Sequence, residues 1–178
     1  MKSVNCILLV DDNPADNRFH EIRIREANVA KLIKKVTNGQ EALDYIIHSG
    51  EAGNEEAYPK PELIFLDINM PGMNGFEFLE KYSKLDDKLK SKVVIVMLTN
   101  SLNPDDEKRA LDTKEVSEFQ NKPLTVESLN EIMEKYFKII STVCYVRDKG
   151  KILMLYRNKK EGLNNKQWYR GLGGKSEQ

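Results

Sequence analysis

A doubly wound α/β sheet is the fold class that residues 1 to 140 predict. Two observations predict it: short apolar runs of strand character alternate with segments of helical period, and the runs are apolar almost without interruption, as in strands covered on both faces. A third observation places the function. Polar residues follow these runs directly, and in such sheets functional groups gather beyond the carboxyl ends of the strands.

The first strand is CILLV at 6–10. Asn13 and Pro14 follow, a capping residue and a first-turn proline, and open a helix expected to turn Phe19 and Ile22 inward. KLIKKV at 31–36 is the second strand, and Asn38-Gly39 starts the second helix. The stretch HSGEAGNEEAYPKP at 48–61, rich in Gly, Glu and Pro, predicts an extended exposed loop before the third strand, ELIFLDI at 62–68. Asn74-Gly75 opens the third helix, with Phe76, Leu79 and Tyr82 on its apolar side. KVVIVMLT at 92–99 is the fourth strand, Asn103-Pro104 opens the fourth helix, and VSEFQ at 116–120 holds a short fifth strand. The fifth helix starts at Thr125, and Leu129, Ile132, Met133, Tyr136 and Ile140 recur at helical spacing.

The chain has 178 residues, 40% apolar and 31% charged, an ordinary globular balance that excludes wholesale disorder and a fibrous protein. Its zero formal charge hides an asymmetry. The last 38 residues carry nine Lys/Arg against three Asp/Glu, leaving 19 against 25 before them. A basic segment of this kind suits an acidic neighbour as well as an anionic polymer or surface. The two cysteines, Cys6 and Cys144, stand in strand-like runs, the pattern of reduced thiols. No apolar run approaches the ~20 residues of a membrane span, and MKSVNCILLVDD lacks a signal-peptide core. A cytoplasmic location is expected, with no membrane partner. His20 and His48 have no acidic partner at obvious spacing and are expected to face solvent.

Asp11 and Asp12 stand directly after the first strand, and Asp67 near the end of the third. If these strands are neighbours the carboxylates converge and repel one another, and a divalent cation relieves that repulsion. Oxygen ligands without His or Cys suit Mg²⁺. Thr99 ends the fourth strand and Lys122-Pro123 follows the fifth, supplying a hydroxyl and a cation of the kind an incoming phosphoryl group requires.

The pattern is carried by ILLVDDNPADN (7–17), LIFLDINMPGMNGFEFL (63–79), VIVMLTNS (94–101) and FQNKPL (119–124). It resembles the receiver domain of two-component response regulators. The resemblance implies a flavodoxin-like fold with strand order 2-1-3-4-5, in which Asp67 accepts a phosphoryl group from the phosphohistidine of a sensor kinase or phosphotransfer protein. It further implies that Asp11, Asp12, Asp67 and the backbone carbonyl of Asn69 hold Mg²⁺, and that Thr99 and Lys122 bind the phosphoryl oxygens. Thr99 and Phe119 would act as a switch, Pro123 would follow a cis bond, and the surface of the fourth helix, fifth strand and fifth helix would change for a downstream partner. Asn100 stands where many receivers have a smaller residue, which would narrow access to Asp67. The long 48–61 loop resembles stand-alone receivers associated with phytochrome-type kinases.

Residues 141–178 form a separate appendage in this scheme. STVCYVRDKGKILMLYRNKK (141–160) predicts a hairpin turning at Asp148-Lys149-Gly150. With W-x-x-G-L-G-G-K from Trp168 it resembles the opening of a Nudix hydrolase domain, whose catalytic box would begin at Gly174. The metal-binding glutamates of that box are absent, so the resemblance implies an incomplete β fragment without hydrolase activity. Three functions are thereby set against each other: a phosphoacceptor switch that is not an enzyme, a receiver-regulated Nudix-type pyrophosphohydrolase inactive in this chain, and an assembly module associating through 141–178. No helix-turn-helix pattern follows the receiver-like part, and no nucleic-acid partner is expected.

Overall fold

The computed structural model describes residues 3–90, 93–100 and 104–137, together with strands at 142–148, 151–157 and 169–170. The chain divides into two compact units, Met1–Phe137 and Lys138–Gln178. In the first unit, β1 (Val4–Val10), β2 (Ala30–Val36), β3 (Leu63–Asp67), β4 (Val94–Thr99) and β5 (Glu118–Asn121) form an all-parallel sheet in the order β2-β1-β3-β4-β5. This is the flavodoxin-like arrangement. Connecting them are α1 (Pro14–Ala27), α2 (Gly39–His48), α3 (Gly75–Ser83) and α5 (Pro104–Leu111), and α6 (Val126–Phe137) follows the last strand. The single-turn α4 (Asp87–Lys90) was not expected, so the expected fourth and fifth helices are α5 and α6.

Side chains on a strand alternate between faces, and each central strand feeds two cores. Leu8, Val10, Ile64, Leu66, Ile95 and Met97 pack with the buried residues of α2 and α3. Ile7, Leu9, Leu63, Phe65, Val96 and Leu98 pack on the other face with Ile24, Leu129, Ile132 and Met133. Each large side chain so buried contributes roughly 1.5–3 kcal/mol. Asn13, Asn38 and Asn74 cap α1, α2 and α3, and Asn74 forms a reciprocal capping box with Glu77.

Several expectations need correction. β2 is an edge strand that leaves Lys31, Leu32 and Lys35 exposed, so it is not covered on both faces; lysines on an edge discourage pairing with another chain. In α1, Ile22 is exposed and Phe19 half-buried, whereas Asn17, His20, Glu21 and Ile24 face the sheet. The spacing is helical, but three of the four inward residues are polar, which hid the face from an apolar pattern. His20 is therefore buried, not solvent-facing, while His48 is exposed. In α3 the fully buried aromatic is Phe78; Phe76 is half-buried beneath the Arg109 guanidinium, 4.0 Å from its ring centre. The 48–61 loop is exposed chiefly over 51–57. Pro59 and Pro61 are buried, the Tyr45 hydroxyl donates to the Pro59 carbonyl at 2.9 Å, and Tyr58 packs on Tyr45 and His48.

Glu21 is buried and ion-paired. Lys35 and Arg25 donate to it at 2.9 and 2.7 Å, and these bonds, against the opposing effect of burial, draw its carboxyl down to about 2. A depressed acid contributes stability that is complete above its unfolded value near 4.5 and is lost as pH falls toward 2. Arg25 and Lys35 are themselves solvent-exposed, and screening reduces the contribution. Glu21→Gln is expected to cost about 1 kcal/mol in urea unfolding at pH 7, with the difference gone near pH 2.

In the second unit, β6 (Thr142–Asp148) and β7 (Lys151–Arg157) pair antiparallel with Asp148 opposite Lys151, and a short β8 (Tyr169–Arg170), not foreseen from the sequence, adds to β7. Ile140, Trp168 and Gly174 lie outside the described residues.

Candidate functional site

The register of the parallel strands assembles one cluster at their carboxyl ends. Val10 lies opposite Leu66, so Asp11 emerges beside Asp67. Asp67 lies opposite Leu98, so Thr99 extends one residue past it, and Thr99 lies opposite Asn121, which sets Lys122 at the same rim. The Lys122 amide donates to the Thr99 carbonyl at 2.9 Å, tying the last two strands together there. Asp11, Asp67 and Thr99 are buried and Asp12 is exposed.

Asp11, Asp12 and Asp67 each offer a carboxylate oxygen, all within 4.8 Å of one another. The Lys122 ammonium stands among the acids, 2.6 Å from Asp11 Oδ2, 2.9 Å from Asp16 Oδ2 and 3.4 Å from Asp67 Oδ2. Other oxygens are held from the backbone: the Asn13 amide donates to Asp11 Oδ1 and the Ile68 amide to Asp67 Oδ1, both at 2.9 Å.

The electrostatics follow from burial and crowding. Burial, with the charge of Asp11 adding to it, pushes the Asp67 carboxyl up to about 6 against the pull of Lys122 and the Ile68 amide. Burial alone would lower Lys122, but its hydrogen bonds to Asp11 and Asp16 and the charge of Asp67 outweigh that and raise it. His20 is pushed down by burial, with Asp11 opposing. At neutral pH the pocket therefore holds an ionised but poorly solvated carboxylate beside a firmly charged ammonium. A carboxylate of this kind is suited to act as a nucleophile, and an ammonium of this kind to receive an anion.

Of the residues singled out in the sequence, Asp11, Asp12, Asp67, Thr99 and Lys122 meet at this rim. Asn69 is exposed on the segment after β3. Phe119 lies on β5 opposite Met97, half-buried against the core and below the rim. The Lys122–Pro123 bond is cis. Asn100 is exposed directly after Thr99. Asp16 and Asn17 had not been singled out: Asp16 pairs with Lys122, and the Asn17 side-chain amide donates to the Asp11 carbonyl at 2.7 Å. Their position in the first turns of the helix that follows the Asp pair was the signal that could have revealed them.

Comparisons with known proteins agree with this geometry. The family model described as "Response regulator receiver domain" matches residues 7–134. Response regulator Rcp1 of Synechocystis sp. is 34% identical over 100 residues, spanning 56% of this chain and 65% of Rcp1. The structure of a two-component response regulator from Cytophaga hutchinsonii is 30% identical with a TM-score of 0.69, covering 76% of this chain and 98% of that one. The phosphorylated cyanobacterial phytochrome response regulator RcpA, also 30% identical, gives a TM-score of 0.61 over 76% of this chain and 96% of its own. A Mn²⁺-bound form of Rcp1 gives 0.57 at 27% identity, covering 75% and 94%. The Nudix-like resemblance of 141–178 draws no support from these comparisons, and the family match ends before it. The chain belongs to the receiver domain family of two-component response regulators.

Proposed function

We propose that residues 1–140 act as a phosphoacceptor switch and that 141–178 are an appendage outside the switch chemistry. The observation that carries this reading is the single rim where the Lys122 ammonium stands among the carboxylates of Asp11, Asp16 and Asp67. In the proposed reaction an Asp67 carboxylate oxygen attacks phosphorus. The P–N bond of a phosphohistidine breaks, and the imidazole keeps its electron pair. A sensor histidine kinase or phosphotransfer protein supplies that group, and the likeness to RcpA favours a phytochrome-type kinase.

Asp11, Asp12 and Asp67, with the Asn69 carbonyl, would hold Mg²⁺, and the all-oxygen donor set and its close spacing fit such an ion. When bound, Mg²⁺ supplies neutralisation of phosphoryl charge. Through their ammonium and hydroxyl, Lys122 and Thr99 would take phosphoryl oxygens. A shift of Thr99 toward them opens space that Phe119 follows, repacking α5, β5 and α6 for a protein partner.

The test is intact-protein mass after incubation with a small-molecule phosphodonor, with and without Mg²⁺. One phosphoryl group is expected, only when Mg²⁺ is present. Uptake independent of Mg²⁺ would overturn the proposed site. An assembly module acting through 141–178 is a separate reading, supported by the β6-β7-β8 sheet of the second unit, whose outer strands pair on one side only among the described residues. It predicts light-scattering mass that is indifferent to phosphorylation.

A further inference from the structure

Lys122 has three donor protons and three acidic neighbours, and Asp16 is a closer one than Asp67, 2.9 Å against 3.4 Å. Asp16 belongs to the first turn of α1, not to a strand end, and its side chain keeps 29% of its exposure while that of Lys122 keeps 6%. We propose that Asp16 is a positioning residue that shares the Lys122 ammonium with the phosphoryl group, so that it loosens the hold of the site on that group. The inference rests on the phosphoacceptor reading above.

The physical grounds are charge and competition. A phosphoryl group on Asp67 needs the Lys122 ammonium, and Asp16 offers the same ammonium a charge-assisted bond from the helix side. Its negative charge also repels the phosphoryl oxygens while attracting a divalent cation at Asp11 and Asp12. Removing the charge at Asp16 therefore acts in opposite directions on the two ligands. A helix-dipole role for Asp16, the ordinary function of an acid in a first turn, predicts no such opposition.

The experiment is calorimetric titration of the full chain with Mg²⁺ alone and then, at saturating Mg²⁺, with beryllofluoride, a phosphoryl mimic. Wild type is compared with Asp16→Asn, Asp16→Ser and Asp16→Glu, each checked for fold by circular dichroism; the Ser variant serves if Asn disturbs the helix. The neutral variants are expected to bind beryllofluoride about tenfold more tightly and Mg²⁺ about threefold more weakly, with Glu close to wild type. Unchanged or weaker beryllofluoride binding in folded neutral variants would overturn the role of Asp16 and leave the phosphoacceptor reading standing. Failure of wild type to bind beryllofluoride at saturating Mg²⁺ would overturn that reading, and this inference with it.

Discussion

Gly75→Ala is expected to destabilise the protein by about 3 kcal/mol and to slow phosphorylation, although alanine is the better helix former by ~1 kcal/mol. An added Cβ would press into the Asp67 carbonyl oxygen and lie 3.1 Å from Ile68 Cα and 3.3 Å from the Asp67 carbonyl carbon. All three are backbone atoms, so no rotamer change relieves the contact. The Gly75 amide also donates to the Ile68 carbonyl at 2.9 Å, which fixes the start of α3 against the end of β3. Relief therefore requires one of two things to move: the capping box at Asn74 or the segment that carries Asp67. Urea unfolding gives the loss of stability and phosphodonor kinetics give the loss of function. Wild-type values for both in the variant would show that this close approach does not position the acceptor.

Asp67→Asn is expected to separate stability from function. Because burial raises the Asp67 carboxyl to about 6, the native state takes up protons more readily than the unfolded chain. Stability contributed by this group is thus lost as pH rises from about 4 to about 6, and at pH 7 its charge is a burden. The neutral amide removes that burden but weakens one partner of Lys122. A net gain of about 2 kcal/mol is expected in metal-free urea unfolding at pH 7, shrinking to nothing below pH 4. Added Mg²⁺ should stabilise wild type more than the variant, since a ligand stabilises the state that binds it. The variant should take up no phosphoryl group. Equal stability of the two proteins at pH 7 would mean that the pocket solvates Asp67 well.

The parallel sheet was legible because its central strands are nearly pure apolar runs and asparagine caps mark the helix starts. The cluster at the rim was legible for a related reason. In a parallel sheet every strand delivers its carboxyl end to the same side, so Asp11, Asp67, Thr99 and Lys122 converge whatever the lengths of the connections. What stayed hidden is what one-dimensional periodicity cannot express. The inward face of α1 is built largely from Asn17, His20 and Glu21; Glu21 is held by Lys35 on the next strand, and the Asn17 side-chain amide is held by the Asp11 carbonyl at the end of β1. Tyr58, Pro59 and Pro61 look like loop composition, yet both prolines are buried, Tyr58 packs on the core and on Tyr45, and the Tyr45 hydroxyl donates to the Pro59 carbonyl. Asp16 was passed over among the acids of the chain, and its pairing with Lys122, 106 residues away, is what marks it.

The central claim is that the Asp67 side chain accepts the phosphoryl group, and covalent mapping tests it most directly. The phosphorylated chain is reduced with borohydride, which converts an aspartyl phosphate to homoserine, then cleaved and sequenced by mass spectrometry. Homoserine at position 67, with Asp11, Asp12 and Asp16 intact, is the predicted result. Homoserine at another carboxylate, or phosphate on a residue that borohydride does not reduce, would contradict it.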